Sequence, residues 1–283
     1  MKQFHTPSAM QHWADEQRRA GHRIAIVPTM GALHEGHLHL IDIAHQHAER
    51  VIVTIFVNPI QFNRTDDFAK YPRTIDDDAD KCRLRTVHAL YLPTAEVMYP
   101  AGYETYVVPG QLADSLCGAG RPGHFKGVTT VVTKLFNATR PDVAIFGEKD
   151  FQQLAILRRM TDDLDFGIDI VGVPTVREPD GLAKSSRNVR LSPDDRLAAR
   201  CIPEALQAAQ RSVLAGERSA AMLAGQAAQH IGQELAARIE YLDVRDPATL
   251  QPVHHLTGPT LLAAAVWVGE VRLIDNIILT PAK

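Results

Sequence analysis

The chain has 283 residues, of which 45% are hydrophobic and 22% charged, and its formal net charge is −3. That is ordinary globular composition, long enough for one large or two moderate domains that each bury a core. The near-neutral balance excludes a general nucleic-acid or membrane surface, while leaving room for a local positive pocket around a small anion.

Taken in chain order, the first strand is RIAIV (23 to 27), a β-branched run bounded by Gly21 and Pro28. The stretch PTMGALHEGHLHL (28 to 40) follows it and leads into a helix over about 37 to 48, so it forms a strand-to-helix turn. Further strands are expected at RVIVTIFVN (50 to 58), HALYLP (88 to 93), DVAIFG (142 to 147) and IDIVGVPTV (168 to 176). Helices fall between them at about 75 to 86, 127 to 139 and 150 to 163. These strands are apolar on both faces, as helices covering a sheet twice require. The expected fold is therefore α/β, a doubly wound and mostly parallel sheet. No G-x-G-x-x-G follows the first strand, so a dehydrogenase-type dinucleotide fold is not supported.

Near residue 175 the character changes. An Ala-rich helical segment spans 192 to 238, with Ser192 as cap and Pro193 in the first turn. IEYLDVRD, LLAAAVWVG and VRLIDNIIL then read as a small antiparallel sheet, turning at Gly269-Glu270. Two domains are expected, 1–175 and a smaller α+β unit over 176–283. Cys82, Cys117 and Cys201 lie far apart with no C-x-x-C pair, which points to a reducing compartment rather than a disulfide framework. The first 22 residues lack the apolar centre of a signal peptide, and the longest apolar run, LLAAAVWV, is too short to cross a bilayer. A cytoplasmic protein is expected.

The ends of the strands carry the chemistry, because open α/β sheets bind ligands there. His34 and His37 share one face of a first helical turn, whose free N–H groups and dipole favour an anion. Gly31 lets the turn bend, and Gly36 removes a side chain where a ligand would approach. Imidazoles in that position can donate to phosphate oxygens. Two other readings fit the same residues: plain polar positions on an exposed helix start, and a metal site joined by His39, His45 or His47. His-x-Gly-His after a first strand resembles the nucleotidyltransferase superfamily, whose members break ATP between the α and β phosphates.

Other segments sit at comparable places. FGEKDFQQL (146 to 154) puts Lys149 where it can meet phosphate, Asp150 at a helix start and Gln153 toward the crevice. FVNPIQF (56 to 62) offers the neutral amides of Asn58 and Gln61, suited to hydroxyls and carboxylates. DGLAKSSRNVRLS (180 to 192) is either a phosphate-wrapping loop or an ordinary surface loop. In YPRTIDDDADKC, Thr74 reads as an N-cap, and the three acids after it serve either the helix dipole or a Mg²⁺.

Four segments, PTMGALHEGH, FVNPIQF with YPRT, GHFKGVTTVV with FGEKDFQQL, and DGLA with SSRN, occur in the order of the pantoate-β-alanine ligase family. The chain resembles that family from about residue 1 to the closing RLIDN. The resemblance implies a Rossmann-like ATP- and pantoate-binding domain followed by a lid. It implies that ATP converts pantoate to pantoyl-adenylate with release of pyrophosphate, and that β-alanine then displaces AMP. Mg²⁺ as cofactor, a homodimer, and no nucleic-acid or membrane partner go with it. Met30, Gly31, Ala32, Leu33, His34, Glu35, Gly36 and His37 are implied to line the ATP site. His37 is the implied proton donor or phosphate stabiliser, helped by His34 and Lys149. Gly147, Glu148, Lys149, Asp150 and Val176 correspond to nucleotide contacts, and Lys184, Ser185, Ser186 and Arg187 to the phosphate loop. Gln61 and Gln153 correspond to pantoate ligands with Asn58 beside them; Gln61 also borders the β-alanine site, and Asp77 is the magnesium-side carboxylate. The loop departs from the family in two places: Lys184 replaces an apolar residue, and NVRL, with Val189 and Arg190, stands where Asn-Gly-Tyr-Leu is common. The rival reading is a related adenylyltransferase that leaves AMP on a phosphorylated acceptor. It needs a second basic site, which Asn58, Gln61 and Gln153 do not supply.

Overall fold

The computed structural model describes residues 1–282. Strands β1 (Lys2–Phe4), β2 (Ile24–Thr29), β3 (Arg50–Ile55), β4 (Ala89–Tyr91), β5 (Val143–Gly147) and β6 (Asp169–Val173) form one parallel sheet. Their order is β1-β4-β3-β2-β5-β6. Strands β7 (Ala237–Arg245), β8 (Thr260–Val268) and β9 (Val271–Leu279) make a separate antiparallel sheet.

Both faces of the parallel sheet are covered, which is why its strands carry no polar alternation. Ile24 and Ile26 of β2 point to the side where the helices Pro7–Arg19, His124–Thr139 and Phe151–Asp163 bring Met10, Trp13, Phe136 and Leu157. Ala25 and Val27 point to the other, against Ile41 and Ala44 of Glu35–His47 and Ala79 and Cys82 of Ile75–Leu84. Full burial of an Ile, Leu or Phe side chain contributes roughly 1.5–3 kcal/mol, so these two layers hold the domain together.

The expected strands are all present, but three are clearly shorter than their apolar runs. β4 keeps only Ala89–Tyr91 of HALYLP. β3 ends at Ile55 because Pro59 opens a 3-10 turn, Pro59–Gln61, that draws Asn58 out of the ladder. β6 ends at Val173, before Pro174, which has no N–H to give. Several elements escape the sequence reading, among them the short helices Thr65–Ala69, Ala95–Met98 and Cys117–Gly120. β1 is a three-residue edge strand, too short to show a period. Helix Pro7–Arg19 buries only Met10, Trp13 and Ala14 in an otherwise polar segment, so its stripe is narrow.

The helical run over 192 to 238 is three helices, Pro193–Ala198, Cys201–Leu214 and Ala220–Ile231. Gly216, at φ +108°, ends the second, and the Ser219 hydroxyl caps the third by accepting from Met222 N. Ile202, Leu206, Leu223 and Ile231 pack against Leu262, Val266 and Leu279 of the small sheet.

The chain leaves β2 toward β3 on one side and later returns to β2's other side as β5. A crevice opens beyond the carboxyl ends of β2 and β5 at this reversal of strand order. The turn at 30–37 and the segment at 147–150 therefore face each other.

Candidate active site

The turn after β2 is held from behind. Gly31 (φ +86°) and Ala32 (φ +51°) are both left-handed, a path that L residues rarely take. The fully buried Asp78 carboxylate accepts from Ala32 N at 2.9 Å and Leu33 N at 2.7 Å, and from the Thr74 hydroxyl at 3.1 Å. The Thr29 hydroxyl accepts from Gly31 N at 3.2 Å. These N–H groups are spent on shaping the turn and are not free for a phosphate. Of the run expected to line the nucleotide site, Met30, His34, Gly36 and His37 line the cleft. Leu33 is core, Gly31 and Ala32 form the scaffold, and Glu35 is exposed.

His34 N donates to His37 Nδ1 at 3.3 Å, which leaves the proton of a neutral His37 on Nε2 as a donor. The two rings stack at 4.1 Å, and His34 Nδ1 is buried with no partner among the described residues. A Cβ on Gly36 would come within 2.9 Å of the His34 ring, so this glycine makes room for the imidazole itself. Burial, then the neighbouring His34, lowers the His37 pKa to about 3. Burial, then Lys149, lowers that of His34 to about 4. Both are neutral hydrogen-bond donors or acceptors at neutral pH, and the His37 ring presents Nε2–H as a neutral imidazole rather than an imidazolium.

A pH dependence follows. Unfolded histidines bind protons near pH 6.5, whereas these two resist protonation until about 4 or 3 when folded. Between those values the unfolded chain binds more protons, so stability falls as pH drops from 6.5. Acidification from pH 7 to 5 is expected to lower the midpoint of urea unfolding, and ATP to restore part of it. A midpoint independent of pH over that interval would contradict the burial of neutral imidazoles.

Across the crevice, Gly147, Lys149, Asp150 and Gln153 line the opposite wall, with Val176 and the loop 184–187 above them. The neighbouring Gln152 is buried and structural, accepting from Cys117 N and donating to the carbonyls of Leu112 and Ser115. Glu148 is not among the lining residues. Asn276 of β9 donates to the Glu148 and Lys149 carbonyls at 3.0 Å each, so RLIDN braces the FGEKD segment.

Gln61 is positioned with similar care. Asn58, almost wholly buried, donates to Gln61 Oε1 at 2.9 Å and to the Gly127 carbonyl at 3.1 Å, and accepts from the Tyr99 hydroxyl at 2.8 Å. Asn58 is thus occupied in orienting Gln61. Among the described residues the Gln61 amide donates only to the Met30 sulfur, at 3.2 Å, a weak acceptor that a ligand oxygen can replace. A side chain at Gly127 would collide with the backbone of Ile60 and Gln61, which requires glycine there.

The two charged departures in the phosphate loop, Lys184 and Arg190, make ion pairs across the cleft. Lys184 Nζ lies 2.7 Å from Glu35, and Arg190 joins Arg187 on Asp67 at 3.1 and 3.0 Å. Lys184, Ser185, Ser186 and Arg187 all line the cleft. Asp77 does not; it is on the exposed side of its helix, 2.7 Å from Lys81. Lys81 also donates to the Leu33 carbonyl at 2.7 Å, which places Asp77 at the rim of the histidine turn. Among the described residues no three His, Cys, Asp or Glu side chains group to hold a metal, and no helix is long and apolar enough to cross a membrane.

Four residues of this architecture escape the sequence reading: Asp78, Tyr99, Arg121 and His124. Asp78 carries a signal, since it lies on the same helix face as the buried Cys82, four residues on. Arg121 lies just before the GHFKG segment and His124 within it, and both line the cleft.

The family model for pantoate-beta-alanine ligase matches residues 2–278. A pantothenate synthetase of Heliobacterium modesticaldum is 51% identical over 269 residues, covering 95% of this chain and 96% of its own. The crystal structure of a pantothenate synthetase from Thermus thermophilus superposes with TM-score 0.94 at 39% identity, covering 99% of this chain and all of that one. A pantoate-beta-alanine ligase from Francisella tularensis, complexed with beta-gamma ATP and beta-alanine, superposes with TM-score 0.82 at 32% identity, covering 98% and 97% of the two chains.

Proposed function

The chain belongs to the pantoate-β-alanine ligase family, and we propose that the cleft between the histidine turn and Lys149 is where it joins the two substrates. The reaction is the ATP-dependent condensation of pantoate with β-alanine. A carboxylate is a poor acyl donor because its charge repels an amine, so ATP first supplies a leaving group. The pantoate oxygen attacks the α-phosphorus, pyrophosphate departs, and the amine of β-alanine then attacks the acyl carbon and expels AMP. Shielding the mixed anhydride from water is as important as making it.

The observation that carries this placement is the juxtaposition of the stacked His34–His37 pair, with an unpartnered buried nitrogen, and Lys149 in one cleft. Charge building on the α-phosphate and the departing pyrophosphate meets His37 Nε2–H, His34, Lys149 and the loop Lys184 to Arg187. Gly147 to Asp150 and Val176 hold the nucleotide. Gln61 and Gln153 hold pantoate through neutral amides. In this reading 1–175 binds ATP and pantoate, and 176–283 closes over them with the phosphate loop. Mg²⁺ bound with the triphosphate would neutralise part of its charge. It needs only one or two protein carboxylates, and Asp77 at the rim would be the one to hold it. The enzyme works in the cytoplasm as a homodimer on small molecules, with no nucleic acid or membrane as partner.

The test is pyrophosphate release from ATP, Mg²⁺ and pantoate, followed with and without β-alanine. Pantoate-dependent release, raised by β-alanine with formation of AMP, is expected; release that ignores pantoate would contradict the reading. A second expectation separates the substrates. Gln153→Ala should weaken pantoate by roughly 1–3 kcal/mol, the cost of an orphaned polar partner, and ATP far less. Equal loss for both substrates would remove Gln153 from the pantoate site.

A further inference from the structure

The cleft next to the histidine turn is one of three adjoining cavities, and Arg121, Lys149 and Asp150 line all three. The arginines along these walls are almost all neutralised. Arg64 pairs with Asp66, Arg187 and Arg190 with Asp67, and Arg272 with Glu240. Arg121 alone among them has no carboxylate partner among the described residues. Its guanidinium contacts two neutral acceptors, His124 Nε2 at 3.1 Å and the Gln61 carbonyl at 3.2 Å.

Those two contacts fix its direction. His124 Nδ1 lies 2.8 Å from the same Gln61 carbonyl, so its proton belongs on Nδ1 and Nε2 is left to accept from Arg121. Burial, then the arginine itself, lowers the His124 pKa to about 4, which keeps the imidazole neutral and suited to accepting. Burial also lowers the pKa of Arg121, the sign of a cation short of compensating charge. A guanidinium has five N–H donors, and the two contacts leave most of its fork open. Holding a desolvated cation without a counter-ion is costly, and a ligand anion relieves that cost.

We propose that Arg121, oriented by His124, receives the carboxylate of β-alanine and so selects an ω-amino acid as the acyl acceptor. This rests on the pantoate-β-alanine ligase reading and assigns one residue within it. The choice among the available anions follows from nucleophilicity. Pantoate's carboxylate must attack phosphorus, and a full ion pair to a guanidinium would drain the electron density it needs; the neutral amides of Gln61 and Gln153 do not. The carboxylate of β-alanine takes no part in bond making, and it tolerates a permanent ion pair. The bridge from Arg121 to the Gln61 backbone places that ion pair beside the residue that borders pantoate, so the amine can reach the acyl carbon. His124 is a positioning residue, acting through the arginine.

The test compares Arg121→Lys and Arg121→Gln with the unaltered enzyme in two assays. In pantothenate synthesis the KM for β-alanine is expected to rise tenfold or more in Arg121→Gln, with partial recovery in Arg121→Lys. In pantoate-dependent exchange of pyrophosphate into ATP, where β-alanine is absent, the KM values for pantoate and ATP should move less than threefold. The unaltered enzyme should prefer β-alanine to 3-aminopropanamide, which lacks the charge, by at least tenfold, and Arg121→Gln should lose most of that preference. A β-alanine KM within threefold of normal, a parallel rise in the pantoate KM, or no preference in the unaltered enzyme would each overturn the assignment. If unaltered protein gives no pantoate-dependent exchange, the reading beneath it fails instead, so the two failures are distinct.

Discussion

Replacing His37 by alanine is expected to lower the rate of pantoate-dependent pyrophosphate exchange by about a hundredfold or more. The ring is a neutral donor by construction, since His34 N occupies its Nδ1 and burial lowers its pKa to about 3. Its Nε2–H is therefore expected to stabilise charge on the reacting phosphate without a change of protonation, and one such preorganised donor is worth roughly 10²–10³ in rate. The loss should fall on the rate more than on the KM for ATP, because the phosphate charge it meets grows toward the transition state. Folding should survive, as only one long hydrogen bond from His34 N is lost. His37→Gln, which retains an amide donor, should recover part of the rate. Exchange within tenfold of normal in a folded His37→Ala protein would remove the ring from this role.

The second large effect belongs to a residue outside the cleft. Asp78→Asn is expected to destabilise the protein by about 3 kcal/mol or more and to lower exchange as well. The carboxylate accepts from Ala32 N and Leu33 N with one oxygen each, and the Thr74 hydroxyl adds a third bond. An asparagine has one oxygen for these donors and turns its NH₂ toward one of them, leaving a buried N–H opposed by another. Hydrogen bonds to a charged group contribute roughly 1.5–3 kcal/mol each, and an unsatisfied partner costs a similar amount. The turn that carries His34 and His37 should loosen with it. Asp77→Asn is the control, because Asp77 makes an exposed ion pair of a kind with little effect on stability. Urea unfolding of both variants gives the comparison, and equal midpoints would show that Asp78 does not hold the turn.

The Asp77–Asp78 pair also shows where reading from sequence reaches its limit. Three consecutive acids open a helix, and their composition alone is explained by the helix dipole. Which of them turns inward depends on the packing of that helix against Ile41 and Val53, a long-range matter that local pattern does not contain. The same holds for Glu35. As the variable position of His-x-Gly-His it is expected to line the nucleotide site, yet it lies outside and tethers Lys184 from a loop 149 residues away.

Much is legible in the chain before it folds: the alternation of strand and helix, the parallel sheet and the antiparallel one, and the strand ends at which His34, His37, Gln61 and Lys149 sit. These are set by hydrophobic period, by glycine and proline, and by the spacing of a few motifs, all local properties of the chain. The order of the four family segments identifies the reaction. Packing in three dimensions settles the rest: that Asp78 rather than open helix N–H groups shapes the turn, that Asn58 orients Gln61, that Gln152 is buried while Gln153 faces the cleft, and that Arg121 has no counter-ion among the described residues. Each depends on which distant side chain completes a hydrogen bond or an ion pair. In a folded chain that is fixed by the crossing of strands and helices, and residues tens of positions apart in sequence meet only there.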